Sequence, residues 1–374
     1  MTPLALERMQ RLRAAMDDAG LETIVLAGDA WRSDYLRYAL DLTPMEGLVL
    51  ALVGSAPRAR VIASHPAEAE RLAAQHEHLD VQWAPDPAAA AWQSVQALPP
   101  ARVGLAPAPR VPPSLAATPL GASLRATTAL LDRLMVRKSA AEADAVERAC
   151  RLADQGYRVF QAAAWPGRPE FELVADVESW LRAQGCPENF MIMASGGLEV
   201  RTMRPPGLRR LAGGDMVTTE LTPCVDGYYA QICRTLVLGA PSASQQEAYA
   251  VFEEALAAGI DAVRPGATHG DVARAQNDVF RRHGLAEYIT STYTRVRGHG
   301  MGLYVDGPHV LEDVDLVLEP DMTLVVHPNT FHPGAGYIVL GDTVRVTPEG
   351  CRVLTRTPHS LACVDAPAQA TGRP

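Results

Sequence analysis

The feature that most constrains the fold is a repeat inside the second half of the chain. Trp165-Pro-Gly-Arg-Pro-Glu-Phe-Glu-Leu-Val…Trp180-Leu-Arg-Ala-Gln-Gly185 aligns at a constant offset with Arg264-Pro-Gly-Ala-Thr-His-Gly-Asp-Val-Ala…Val279-Phe-Arg-Arg-His-Gly284. Pro166/Pro265, Gly167/Gly266, Arg182/Arg281 and Gly185/Gly284 are identical. In each copy a helix precedes, a Pro-Gly turn follows, a second helix runs to a glycine cap, and strands come next. Two such units predict a pseudo-twofold domain with a site between its halves, where pockets tend to form.

Between the copies lies a hairpin. The runs 216–221 and 228–238 are β-rich and flank a turn holding Pro223, Asp226 and Gly227. Side chains alternate faces along a strand, so Gln231 and Cys233 share a face, and the hairpin can set Glu220 opposite them. An acid, an amide and a thiol are thus expected to converge.

The rest of the chain frames this domain. Residues 4–20 read as an amphipathic helix ending at Gly20, 23–27 as a short buried strand, and 28–37 as a loop with Trp31, Arg32 and Asp34. Strands at 48–53 and 59–63 and a helix at 66–74 follow, the alternation of a small α/β domain. Five prolines at 107, 109, 112, 113 and 119 mark a connection. Ser139-Ala-Ala-Glu142 has the capping-box form and opens a long helix to about Ala164. The expected organisation is an N-terminal domain over 1–130, a second domain over 131–364, and a disordered tail over 365–374.

The formal net charge of −9 and the lack of a Lys/Arg block argue against nucleic acid or an anionic membrane as partner. A small molecule is the expected substrate. Residues 1–20 lack the apolar core of a signal peptide, and six scattered cysteines without a C-x-x-C pair suggest reduced thiols. The expected location is cytoplasmic.

The second half resembles the pita-bread fold of the creatinase / aminopeptidase P / prolidase / methionine aminopeptidase (M24) superfamily. The resemblance is carried by Gly214-Asp215…Gly227-Tyr228…Arg234-Thr235, His299-Gly-Met-Gly-Leu303, Pro320-Asp-Met322 and Gly341-Asp342-Thr343…Val346-Thr347. It implies an α+β pita-bread domain preceded by a smaller creatinase-type α/β domain, and a homodimer in which Trp31 and Arg32 of one subunit approach the other's pocket.

Metallopeptidases of this superfamily hold two metals with Asp, Asp, His, Glu and Glu. At the matching positions this chain has Glu220, Gln231, His299, His327 and Gly341. Met203 stands for a substrate-side His, and Asp306-Gly307 for a His-Glu pair. Bridging two divalent ions requires anionic oxygens, so the resemblance implies that the two-metal site is lost. The expectation is a metal-independent hydrolase of an amide or amidine C–N bond, similar in character to creatinase and ectoine hydrolase and unlike a typical Xaa-Pro dipeptidase. In this reading Glu220 is base or nucleophile, His299 the general acid and His327 a second proton carrier. Gln231, Cys233, Asp306, Tyr228 and Met203 line the substrate, with Cys233 either a nucleophile or an inert buried thiol. No cofactor is expected. Two alternatives stand beside it: one Fe or Zn ion on His299, His327, Glu220 and Gln231, and a non-catalytic pita-bread binding module.

Overall fold

The computed structural model describes residues 2–108, 111, 113–303 and 307–365. The chain divides into two compact units, residues 1–135 and 136–374.

In the first unit the elements run α1 (Pro3–Asp18), β1 (Thr23–Gly28), α2 (Asp34–Leu40), β2 (Val49–Gly54), β3 (Arg60–Ala63), α3 (Pro66–Gln75), β4 (Asp80–Trp83), α4 (Pro87–Val95), β5 (Val103–Ala106), α5 (Pro113–Ala116), α6 (Pro119–Ser123), β6 (Arg125–Ala126) and α7 (Thr128–Val136). The strands form one mixed sheet in the order β4-β3-β2-β1-β5-β6. Strand β1 is buried along almost its whole length, as its continuous apolar sequence requires. The stretch 28–37, expected as a loop, instead opens helix α2. Its Tyr35, Leu36, Tyr38, Ala39 and Leu40 are buried, and Asp41 ends it in the left-handed region at φ 56°. The proline-rich connection joins β5 to β6 within this sheet.

The second unit contains α8 (Ala140–Ala163), α9 (Glu170–Ala183), β7 (Asn189–Gly196), β8 (Met216–Val225), β9 (Tyr228–Tyr229), β10 (Ile232–Leu238), α10 (Ala243–Ala262) and α11 (His269–Arg282). These are followed by β11 (Gly298–Gly300), β12 (Thr323–Val326), β13 (Thr330–His332), β14 (Gly336–Ile338), β15 (Asp342–Thr347), β16 (Gly350–Val353) and β17 (Ala362–Val364). The repeat is present as two helix pairs with two sheets. Helices α8 and α9 pack on the sheet β17-β10-β8-β7 through Tyr157, Phe160, Leu173, Leu181, Val217 and Leu236. Helices α10 and α11 pack on β11-β12-β15-β16 through Phe252, Leu256, Phe280, Leu324 and Val344.

Each repeat begins with a reciprocal capping box, Ser139 with Glu142 and Ser242 with Gln245. The paired turn glycines share one backbone conformation, Gly167 at φ 91° and Gly266 at φ 84°, Gly185 at 80° and Gly284 at 72°. Only glycine adopts this region without strain, which is why these positions are identical in the two copies.

The two halves are fastened by a buried ion pair. Arg234 Nη2 of β10 donates to Asp342 Oδ1 of β15 at 2.7 Å, and Arg234 also donates to the carbonyls of Gly341, Pro358 and Thr357. Burial opposes the Asp342 charge, but Arg234 and His359 outweigh it and hold the carboxyl below its ordinary value. Strand β17 then adds in parallel to β10, placing residues 362–364 in the sheet of the first half. Among the described residues no helix is long and apolar enough to cross a membrane.

Candidate active site

The β8–β10 hairpin sets Cys233 directly across from Glu220. Gln231 lies at the start of β10, where its backbone N–H donates to Thr343 Oγ1 and its carbonyl accepts from the same hydroxyl. From there Gln231 Nε2 donates to Glu220 Oε2 at 2.9 Å. The other carboxylate oxygen, Oε1, accepts from Asn329 Nδ2 at 2.7 Å. Glu220 is therefore held from both halves of the domain by two side-chain amides. All three residues are buried, and charge-assisted bonds of this kind are the strong ones in such a setting.

Asn329 escapes the sequence reading. It follows the cluster Val325-Val326-His327-Pro328 at a strand end, and its Oδ1 accepts from the Leu340 N–H at 3.1 Å. Its carbonyl takes Nη1 of the buried Arg297 at 2.9 Å. Burial lowers the Arg297 guanidinium to about 10, and its Nε is held by Asn277 Oδ1 at 2.6 Å. Arg297 thus braces the strand end that carries Asn329.

His299 and His327 meet edge to face with ring centroids 5.5 Å apart. His299 sits on β11 after Gly298, whose φ is 140° and where a side chain would collide with the Val325 carbonyl. His299 Nδ1 lies 3.2 Å from its neighbour's carbonyl, Gly300 O. Burial, with His299 and Arg297 nearby, pushes His327 well below the ordinary imidazole value, so this ring is neutral at pH 7. Among the described residues its Nδ1 has no hydrogen-bond partner, and neither has Gln231 Oε1. A β-carbon at Gly341 would lie 2.5 Å from His327 Cβ, so this position admits no side chain while His327 is in place.

Around these polar groups is an aromatic wall. Phe331, Tyr337, Met301, Val325 and Val339 are buried with Cys233, and Met203, Tyr288 and Tyr293 pack against them half-buried. Burial and the Glu220 charge push the Cys233 thiol well above its ordinary value, which favours its neutral form. Tyr228 is a correction. Its hydroxyl bonds Glu142 Oε1 at 2.5 Å at the start of α8, where it supports the capping box. Asp306 lies outside the described residues.

The donor set does not fit a pair of bridged metals. Both Glu220 oxygens face amide N–H groups, whose positive ends oppose a cation, and Gly341 offers no side-chain ligand. Among the described residues no three His, Cys, Asp or Glu side chains converge to hold a metal ion.

The protein belongs to metallopeptidase family M24, whose family model matches residues 144–348. It is similar to the probable dipeptidase PepE of Mycobacterium tuberculosis H37Rv, 32% identical over 240 residues, which are 63% of this chain and 63% of that protein. It is also similar to the Xaa-Pro dipeptidase of Pyrococcus furiosus, 29% identical over 61% of this chain and 65% of that protein. The chain therefore matches a little under two thirds of the length of these curated relatives. The solved structure of the Xaa-Pro dipeptidase from Bacillus anthracis superimposes with a TM-score of 0.79 at 26% identity, covering 96% of this chain and 99% of that one.

These likenesses overturn the expectation of a creatinase- or ectoine-hydrolase-like enzyme unlike a typical Xaa-Pro dipeptidase. The relatives and the structure just given are named dipeptidase or Xaa-Pro dipeptidase. The expectation rested on a handful of departures in one pocket, and the likeness of the chain as a whole points the other way.

Proposed function

We propose that this M24 hydrolase cleaves the amide C–N bond of short peptides, Xaa-Pro dipeptides among them, with Glu220 as the general base and without a metal ion. The observation that carries this reading is the pairing of a buried, amide-held carboxylate with a bare acceptor. Glu220 is fixed by Gln231 and Asn329, and Gln231 Oε1 beside it is buried without a partner among the described residues. The terminal amine of an Xaa-Pro dipeptide, donating to Gln231 Oε1, would set the adjacent carbonyl carbon beside Glu220. Burial without a partner costs free energy that a bound substrate recovers.

The chemistry follows from the proton positions. Glu220 takes a proton from water as the water oxygen bonds to the carbonyl carbon. His299 gives a proton to the amide nitrogen as the C–N bond breaks, and Glu220 returns its own proton to His299. The neutral His327 cannot act as an imidazolium acid, so its role is to accept a hydrogen bond from substrate or water.

The test is turnover of Ala-Pro and Gly-Pro by the full chain, followed by mass spectrometry, with chelator and with added Mn²⁺, Co²⁺ or Zn²⁺. Turnover is expected to persist in chelator and to fall by about 10²–10⁴-fold in Glu220→Gln, the range of general-base catalysis. Turnover abolished by chelator and restored by metal overturns the metal-free route. No turnover in any arm overturns the hydrolase reading and leaves peptide binding as the function of the pocket.

A further inference from the structure

We propose that Asn277 and Glu312 are positioning residues for the base, acting through the buried guanidinium of Arg297. This deepens the reading of Glu220 as the general base and rests on it.

A run of hydrogen bonds joins the protein surface to Glu220, every link of it within the second unit. Glu312 Oε1 accepts from Asn277 Nδ2 at 2.7 Å. Asn277 Oδ1 accepts from Arg297 Nε at 2.6 Å, and Arg297 Nη1 donates to the Asn329 carbonyl at 2.9 Å. Asn329 Nδ2 then reaches Glu220 Oε1 at 2.7 Å. Asn277, Arg297 and Asn329 are buried, whereas the Glu312 side chain is 33% exposed. The run therefore starts at a carboxylate in contact with solvent and ends on the base.

The direction of each bond is forced by chemistry. A guanidinium only donates, so Asn277 turns its oxygen to Arg297 and its amide N–H to Glu312. At the far end the Leu340 N–H occupies Asn329 Oδ1 at 3.1 Å, which leaves Nδ2 for Glu220. Removing the Glu312 carboxylate takes away the acceptor that holds the Asn277 amide in this orientation.

Arg297 depends on such support. Its other side-chain contacts are the Val296 carbonyl at 3.2 Å and the Phe280 ring, whose centre is 5.4 Å from the guanidinium carbon. Among the described residues no carboxylate touches it, and its Nη2 has no partner. The cation lies instead between two acids, Glu312 and Glu220, with one asparagine interposed on each side. Its backbone is tied to the same corner. The Arg297 carbonyl accepts from Gln276 Nε2 at 2.9 Å and from the His327 N–H at 3.1 Å. Arg297 thus grips both ends of His327-Pro328-Asn329, and two neighbouring side chains of α11, Gln276 and Asn277, grip Arg297. Glu312 is a fixed anchor, since Arg281 Nη2 donates to its Oε1 at 2.6 Å and Arg274 Nη1 to its carbonyl at 2.8 Å.

The chain contains three asparagines, Asn189, Asn277 and Asn329. Labelling the full chain with nitrogen-isotope-enriched asparagine therefore gives an NMR spectrum of those side-chain amides alone. Glu312→Ala is expected to shift the Asn277 and Asn329 amides, and Glu312→Gln, which keeps an acceptor, to shift them less. The Asn189 amide, bonded to Glu178, is expected to stay in place and so to report an intact fold. On Ala-Pro, Glu312→Ala is expected to lower kcat by about tenfold with KM little changed, a loss of the size found for supporting contacts. Asn277→Ala should do the same, and the double variant should fall no further, because the two residues act in series. An Asn329 amide that does not move in Glu312→Ala, a loss confined to KM, or additive losses in the double variant overturns the proposal. The two readings fail separately. A wild-type chain that hydrolyses no peptide while the Asn329 amide moves as expected overturns only the hydrolase, and the hold on Glu220 stands. Turnover in wild type that Glu312→Ala leaves unchanged overturns only the positioning role.

Discussion

Asn329 Nδ2 donates to Glu220 Oε1 at 2.7 Å, from the strand end of one half of the domain to the hairpin of the other. Under the proposed mechanism Asn329 is a positioning residue, because it holds the carboxylate of Glu220. Asn329→Ala is expected to lower kcat by about 10–100-fold, as for lost supporting contacts elsewhere, and to leave KM little changed. Asn329→Gly, without the amide, should match it, and steady-state kinetics on Ala-Pro separates kcat from KM. A KM effect alone would place Asn329 in substrate binding instead.

Gly341 marks a steric limit. A methyl group there would meet His327 Cβ at 2.5 Å and the Val326 carbonyl at 2.7 Å, both in a strand end with no room to move. Gly341→Ala is expected to destabilise the protein by about 1–3 kcal/mol, the usual cost of overpacking. Urea unfolding measures it. Combining Gly341→Ala with His327→Gly, which removes the Cβ it would meet, should recover part of the loss, and strict additivity of the two would show that they do not collide.

The Arg234–Asp342 pair has a definite pH dependence. Its carboxyl has a folded value below the ordinary 3.8, so the stability it contributes is complete above that value and is lost as pH falls through the lower, folded one. Wild type should therefore lose stability between about pH 4 and the folded value, as read from urea midpoints. Asp342→Asn removes that slope and costs about 3–5 kcal/mol at pH 7, because Arg234 is left buried and unpaired. An unchanged urea midpoint in Asp342→Asn would contradict the role assigned to the pair.

His269 works in the same direction at higher pH. It is buried, with Nδ1 3.0 Å from the His309 carbonyl, and burial holds its imidazole below the ordinary 6.5. The unfolded chain takes up a proton near pH 6.5 that the folded one refuses, so stability falls as pH drops from about 7.5 to 5.5. His269→Gln is expected to flatten this part of the profile, and an identical slope in the variant would locate the effect elsewhere.

The convergence of Glu220, Gln231 and Cys233 was legible because strand periodicity leaves one answer once the turn is placed. The repeat was legible for a similar reason, since left-handed turns at Gly167, Gly185, Gly266 and Gly284 demand the residue that the alignment pairs. Asn329 was not legible because its partner comes from a strand far away in sequence, and no local pattern announces a cross-half hydrogen bond. Helix α2 was hidden by Trp31, Arg32 and Asp34, which read as loop, while the five buried residues behind them were not weighed as one helical face. Tyr228 was not legible as a partner of the long helix because its hydroxyl bonds Glu142, which lies far away in sequence. The creatinase-like expectation fails because ligand types at a few positions say less about kinship than the similarity to named dipeptidases over about three fifths of the chain.

Strand β17 has a consequence for the order in which the molecule is made. Residues 362–364 complete a sheet whose other strands end by residue 238. A growing chain on the ribosome therefore carries an open sheet edge at Leu236–Leu238 throughout the synthesis of the second repeat. The groups that hold Glu220 from the far side, with Asn329 foremost, also emerge late. The pocket comes into being in a single late event, so a nascent or truncated chain that stops before residue 364 is expected to offer an adhesive strand and no working base.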